Sequence, residues 1–222
     1  MDNNHKMWSD LGMNLELHDQ LCEVLPQAFG DVFLSQENRP EGMDYYNMVV
    51  ADIHGIRPAE LIEHQNKGGK VFGTFCVYVP DEVIFAADAI ATGLCGGSQF
   101  WVPGGEKVLP TNTCPLIKAS VGARLDRTCP FFRIADMYIG EKTCDGKKKA
   151  WEILSEDVPV YVMDLPQMKR AKDVKAWAAE IEALKEKVEE LTGNKATAEK
   201  LAASIKLNNN KRMDLGRRYN CH

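Results

Sequence analysis

The chain has 222 residues, 45% of them hydrophobic, with 27 Lys and Arg against 32 Asp and Glu and a formal net charge of -5. This length and apolar content suffice for one large or two modest domains with a real core, while a pI near 5.6 gives no basic footprint and argues against nucleic acid as a partner. Residues 1–10 carry neither a basic nor an apolar leader, and the most apolar run, 83–94, contains Asp88 and is too short to span a bilayer, so the sequence predicts a cytoplasmic protein that does not engage a membrane.

Residues 1–42 read as a helical lead-in, in which Leu15, Leu21, Val24 and Leu25 form a broken apolar stripe interrupted by Pro26. Residues 43–168 carry the alternation of an α/β domain. A short helix over 59–67 closes at Gly68-Gly69, and 70–79 (KVFGTFCVYV) is a continuous apolar, β-branched and aromatic run typical of a buried strand. Pro80-Asp81-Glu82 opens a helix through about residue 89, with acidic residues in its first turn. A strand over 134–140, a helix over 145–154 and a strand over 158–165 continue the pattern, which predicts a Rossmann-like parallel sheet flanked by helices. Beyond Pro166 the character changes. Val174, Trp177, Ile181, Leu184, Val188 and Leu191 repeat at alternating spacings of three and four, and Thr192-Gly193-Asn194 ends the run. A second amphipathic helix begins near Thr197, so 169–222 form a helical segment behind the α/β domain.

Seven cysteines, an odd number in a reducing compartment, argue against a disulfide framework and leave metal binding or buried packing. Four stand in turn-like or helix-opening settings: Leu94-Cys95-Gly96-Gly97, Thr113-Cys114-Pro115, Thr128-Cys129-Pro130 and Thr143-Cys144-Asp145-Gly146. At a helix N-terminus the dipole and unpaired N–H groups favour a thiolate and can donate to its sulfur. The intervals are long and irregular with no C-x-x-C pair, matching neither a zinc ribbon nor a ferredoxin. Spacing alone therefore leaves open whether these four bind metal or pack as small hydrophobes. Cys22, on a helical stripe, Cys76, inside a predicted strand, and Cys221, near the end, are read as packing residues. His5, His18, His54, His64 and His222 are scattered and show no metal spacing, so they are assigned structural or surface roles. Lys147-Lys148-Lys149 reads as a solvated helix face, no phosphate-binding loop is present, and no residue is assigned a catalytic role.

At the cysteine blocks the chain resembles the 2-hydroxyacyl-CoA dehydratase superfamily, iron–sulfur proteins that also include benzoyl-CoA reductase subunits and the double-cubane cluster reductases. The matching stretches are 71–82 (VFGTFCVYVPDE), 93–98 (GLCGGS), 109–120 (LPTNTCPLIKAS), 129–132 (CPFF) and 140–149 (GEKTCDGKKK), and the likeness runs from about residue 71 to the end. The resemblance implies Cys114 and Cys144 as cluster ligands, joined by Cys95 and Cys129. GLCGG and RTCPFF beside the shared blocks are most similar to the double-cubane branch. The implied activity is reduction of a small substrate with low-potential electrons from an ATP-hydrolysing iron–sulfur activator, in a homo- or heterodimer. The implied alternative is a subunit of a 2-hydroxyacyl-CoA dehydratase with a single four-iron cubane. Family members continue past position 222 into a second α/β domain with further cysteine ligands, so the chain is expected to be an N-terminal half, and a non-catalytic half-protein completed by another chain is a third reading.

Overall fold

The computed structural model describes residues 3–39, 42–51, 54–75, 77–94 and 96–219. In chain order they form α1 (Asn3–Asp10), α2 (Leu15–Phe29), a π-helical turn (Gly30–Leu34), α3 (Met43–Ala51), α4 (Ile56–Asn66), β1 (Val71–Thr74), α5 (Asp81–Ala86), β2 (Ile90–Gly93) and a 3-10 turn (Gln99–Trp101). There follow α6 (Val102–Glu106), α7 (Pro115–Leu125), α8 (Pro130–Ile134), β3 (Met137–Glu141), α9 (Asp145–Ser155), β4 (Val160–Met163), α10 (Ala171–Thr192) and α11 (Ala198–Tyr219). These elements divide into two compact units, Met1–His64 with Cys95–Ile134, and Gln65–Leu94 with Ala135–His222.

The second unit contains the sheet, an all-parallel arrangement in the order β2-β1-β3-β4. Every residue of the two central strands is buried, as expected where helices cover both faces of a parallel sheet. Phe72, Ile84, Met137, Ile139, Met163, Leu184 and Val188 form its core, and Trp177, Ile181 and Leu201 pack against it. The three-and-four stripe of α10 is therefore its inward face. Val174, at the start of that stripe, is 62% exposed. The helix stops where Gly193 takes a left-handed φ of 71°, a conformation that glycine adopts without a Cβ penalty. Lys200 reaches Asp88 at 2.5 Å and Arg212 reaches Glu82 at 2.5 Å, which binds α11 to the ends of α5.

The first unit is helical. In it α6 lies against α7 so closely that a Cβ at Gly105 or Gly122 would collide with the backbone carbonyl of Lys118 or of Trp101 respectively. The indole N–H of Trp101 donates to Thr128 Oγ1 at 2.6 Å, and Arg133 Nε donates to the Leu11 carbonyl at 2.8 Å. Asn14 caps α2 by accepting from the Leu17 N–H. Among the described residues no helix is long and apolar enough to cross a membrane.

The α/β reading, the parallel sheet, the helical start and the two long C-terminal helices all stand. Three local expectations are corrected. The strand predicted over 70–79 ends at Thr74, because the chain must turn there to enter α5; Val77, inside the apolar run, is 91% exposed. Strand β2 was hidden in the run 83–94, which holds in succession a helix, a turn with Asp88 at φ 58° and an edge strand. Pro26 does not break its helix, which continues to Phe29. A proline near a helix end sacrifices one backbone hydrogen bond rather than the whole element.

Candidate functional site

Cys114 is the N-cap residue of α7, with Pro115 at the first helical position and its thiol exposed. Its carbonyl accepts the first intrahelical bond, from the Lys118 N–H at 3.1 Å. Lys118 is 5% exposed, and its ammonium donates to Glu106 Oε1 at 2.6 Å and to the Thr111 carbonyl at 2.7 Å. A buried ammonium held by a carboxylate and a carbonyl anchors the segment that delivers Cys114. A shallow cleft of about 190 Å³ opens beside this turn, lined by Gly97, Ser98, Gln99, Pro115 and Leu116.

Cys129 also belongs to the first unit and immediately precedes Pro130, the first residue of α8, but it is only 7% exposed. Cys144, in the second unit, is the exposed N-cap of α9, and its sulfur accepts from the Lys147 N–H at 3.5 Å. Lys147 does not extend into solvent as read from sequence; its ammonium pairs with the fully buried Glu141 carboxylate at the end of β3. Lys148 and Lys149 lie on the helix surface beside Asp145 and Glu152. Cys76, Cys95 and Cys221 lie outside the described residues.

A different constellation is brought together in the first unit. His18 and Cys22 are one turn apart on α2, and His54 meets them from the segment between α3 and α4. His18 Nε2 stands 2.9 Å from His54 Nδ1, and the Cys22 sulfur 3.7 Å from either nitrogen of the His18 ring. One potential ligand atom from each residue lies within 4.8 Å of the other two, and no other group of three or more His, Cys, Asp or Glu among the described residues meets that condition. Burial, with the nearby His18, pushes His54 down to about 4. Burial likewise lowers His18, against the opposing pull of Asp19, and raises the Cys22 thiol, with Asp19 adding to the rise. Linear spacing concealed this group, since the sequence signal is confined to the i,i+4 pair His18 and Cys22.

The family described as 2-hydroxyglutaryl-CoA dehydratase, D-component, matches residues 76–222. The chain belongs to this family. It is 38% identical over 160 residues, 72% of its own length, to a protein of Escherichia coli (strain K12) named "Putative dehydratase subunit YjiM". It is also 30% identical over 149 residues, 64% of its length, to a benzoyl-CoA reductase subunit of Thauera aromatica. It spans about two fifths of the length of these curated relatives, 42% and 38% respectively. The dehydratase-family match takes in Cys95, Cys114, Cys129 and Cys144, whereas His18, Cys22 and His54 fall before it.

Proposed function

We propose that this member of the dehydratase family is part of an oxygen-sensitive iron–sulfur enzyme that reduces a small substrate with electrons raised to low potential by an ATP-hydrolysing activator. The observation carrying this reading is positional: within the matched region, Cys114, Cys129 and Cys144 each stand immediately before the first residue of a helix, namely α7, α8 and α9. A helix N-terminus favours the anionic sulfur that iron requires, and exposure of Cys114 and Cys144 leaves both thiols reachable. On this reading Cys114 and Cys144 are cluster ligands, with Cys95 and Cys129 as the additional ones of a double cubane. When bound, such a cluster supplies one-electron transfer at low potential and, at an open iron, a Lewis acid. The chain's own contribution is to hold the thiolates. The Lys147 N–H donates to the Cys144 sulfur, and Lys118 fixes the backbone ahead of Cys114.

A second reading, a 2-hydroxyacyl-CoA dehydratase subunit with a single four-iron cubane, draws support from the burial of Cys129, which subtracts a ligand. In both readings the active assembly is a homo- or heterodimer. In the complete enzyme purified without oxygen, Cys114→Ala or Cys144→Ala removes the visible iron–sulfur absorbance. Iron retained by both variants overturns the ligand assignment. Iron content separates the readings, with about four per protomer for the single cubane and roughly twice that for the double; a stable, colourless assembly overturns both.

A further inference from the structure

The three side chains that meet on α2 have no part in the cysteine chemistry proposed above. Their donors are two imidazoles and a thiol, the set that suits a borderline-soft divalent ion. Zinc holds nitrogen at about 2.0–2.1 Å and sulfur at about 2.3 Å, so tetrahedral ligands stand about 3.3 Å apart for two nitrogens and about 3.6 Å for nitrogen and sulfur. The observed separations are 2.9 Å between His18 Nε2 and His54 Nδ1, and 3.7 Å between Cys22 Sγ and His18 Nε2. All three donor atoms lie within 4.8 Å of one another, so the two imidazole nitrogens part slightly, and the sulfur and His54 stay within about an ångström of the tetrahedral spacing, as the ion enters.

The surroundings hold the ligands in place. His18 is fully buried, with the Trp8 ring tilted against it at a centroid distance of 4.2 Å, and the Trp8 indole N–H donates to the His54 carbonyl at 2.7 Å. The Phe131 ring meets His54 edge-on at 6.2 Å. Cys22 and His54 are only partly buried, which leaves an ion a way in. We propose that His18, Cys22 and His54 form a binding site for a divalent ion of the zinc type, with three protein ligands and one coordination position open to water or a further ligand. On binding, the Cys22 thiol releases its proton to solvent and becomes the thiolate ligand. One thiolate against a divalent ion leaves a single positive charge, within electrostatic reach of the Asp19 carboxylate, which acts on both His18 and Cys22 and lies 3.3 Å from His5 Nε2.

The test uses the full chain, stripped of metal by a chelator and titrated with Co(II), which reports thiolate ligation through a sulfur-to-cobalt charge-transfer band. Because Cys114 and Cys144 can also hold cobalt, the assignment is read at Cys22 itself, by alkylation with iodoacetamide followed by peptide mapping with and without one equivalent of Zn(II). The expected results are about tenfold or greater slowing of Cys22 alkylation by zinc, loss of part of the charge-transfer intensity in Cys22→Ser, and weaker zinc binding by about tenfold or more in His54→Gln. Circular dichroism verifies that both variants fold. Cys22 alkylation at the same rate with and without zinc overturns the proposal, and it does so in the unsubstituted chain, independently of how the variants fold. A cobalt spectrum unchanged in a folded Cys22→Ser variant overturns it as well.

Discussion

Two desolvated histidines, His18 fully and His54 partly buried, should weaken the first unit in acid. Burial keeps His18 and His54 neutral in the metal-free fold, His54 down to about 4, whereas an unfolded chain protonates both near the ordinary 6.5. The unfolded state therefore binds more protons between these values. Stability is fully present above about pH 6.5 and drains away as pH falls toward about 4, by on the order of 1–3 kcal/mol for His54. Thermal unfolding of the metal-free chain from pH 7 to 4.5 should show a falling midpoint, with a shallower slope in His54→Gln; equal slopes would remove His54 from the account. At His18 the Asp19 carboxylate opposes this effect and His5 adds to it. At this scale legibility was uneven. The settings of Cys114 and Cys144 could be read because Pro115 and Asp145-Gly146 announce helix starts. The His18–His54 contact spans 36 positions, and only the fold brings the two rings together. The buried charges Lys118 and Glu141 were equally hidden, since nothing in their neighbouring residues signals burial.

Among the elements, the α6–α7 pair has the least tolerance. Alanine is ordinarily the better helix former, but a methyl at Gly122 would meet the Trp101 carbonyl, so steric overpacking decides the sign. Gly122→Ala should destabilise the first unit by about 1–3 kcal/mol or more, read as a lower denaturant midpoint; a neutral or stabilising result would mean that the two helices can part at little cost. Periodicity located the long helices well, because Trp177, Ile181, Leu184 and Val188 form an unbroken inward stripe, the last two fully buried, and Gly193 supplies a sharp stop. It failed where one apolar run served several elements. Hydrophobicity alone does not mark the turn at Asp88 that separates α5 from β2, and strands of four residues are too short to display a period of their own.

For the whole molecule, the decisive fact is that neither unit is contiguous in sequence. The sheet of the second unit takes β2 and β1 from one stretch and β3 and β4 from another, with β1 and β3 paired at the centre. A fragment of residues 135–222 retains β3 and β4 but loses half the sheet and α5, and with them Phe72, Val83 and Ile84 of the core. It should lack cooperative unfolding by circular dichroism and show poorly dispersed amide resonances; a cooperative, well-dispersed fragment would show that the sheet does not depend on its first two strands. The same interleaving governs the order of events at the ribosome. Domains generally fold as units as they emerge, yet here the first unit is incomplete until position 134 has left the exit tunnel, and by then the apolar strand at Phe72 has been waiting for its partner at Met137. The nascent chain thus carries an unpaired sheet edge from the synthesis of Phe72 to that of Met137, and translation speed and holding chaperones over that stretch become determinants of its yield.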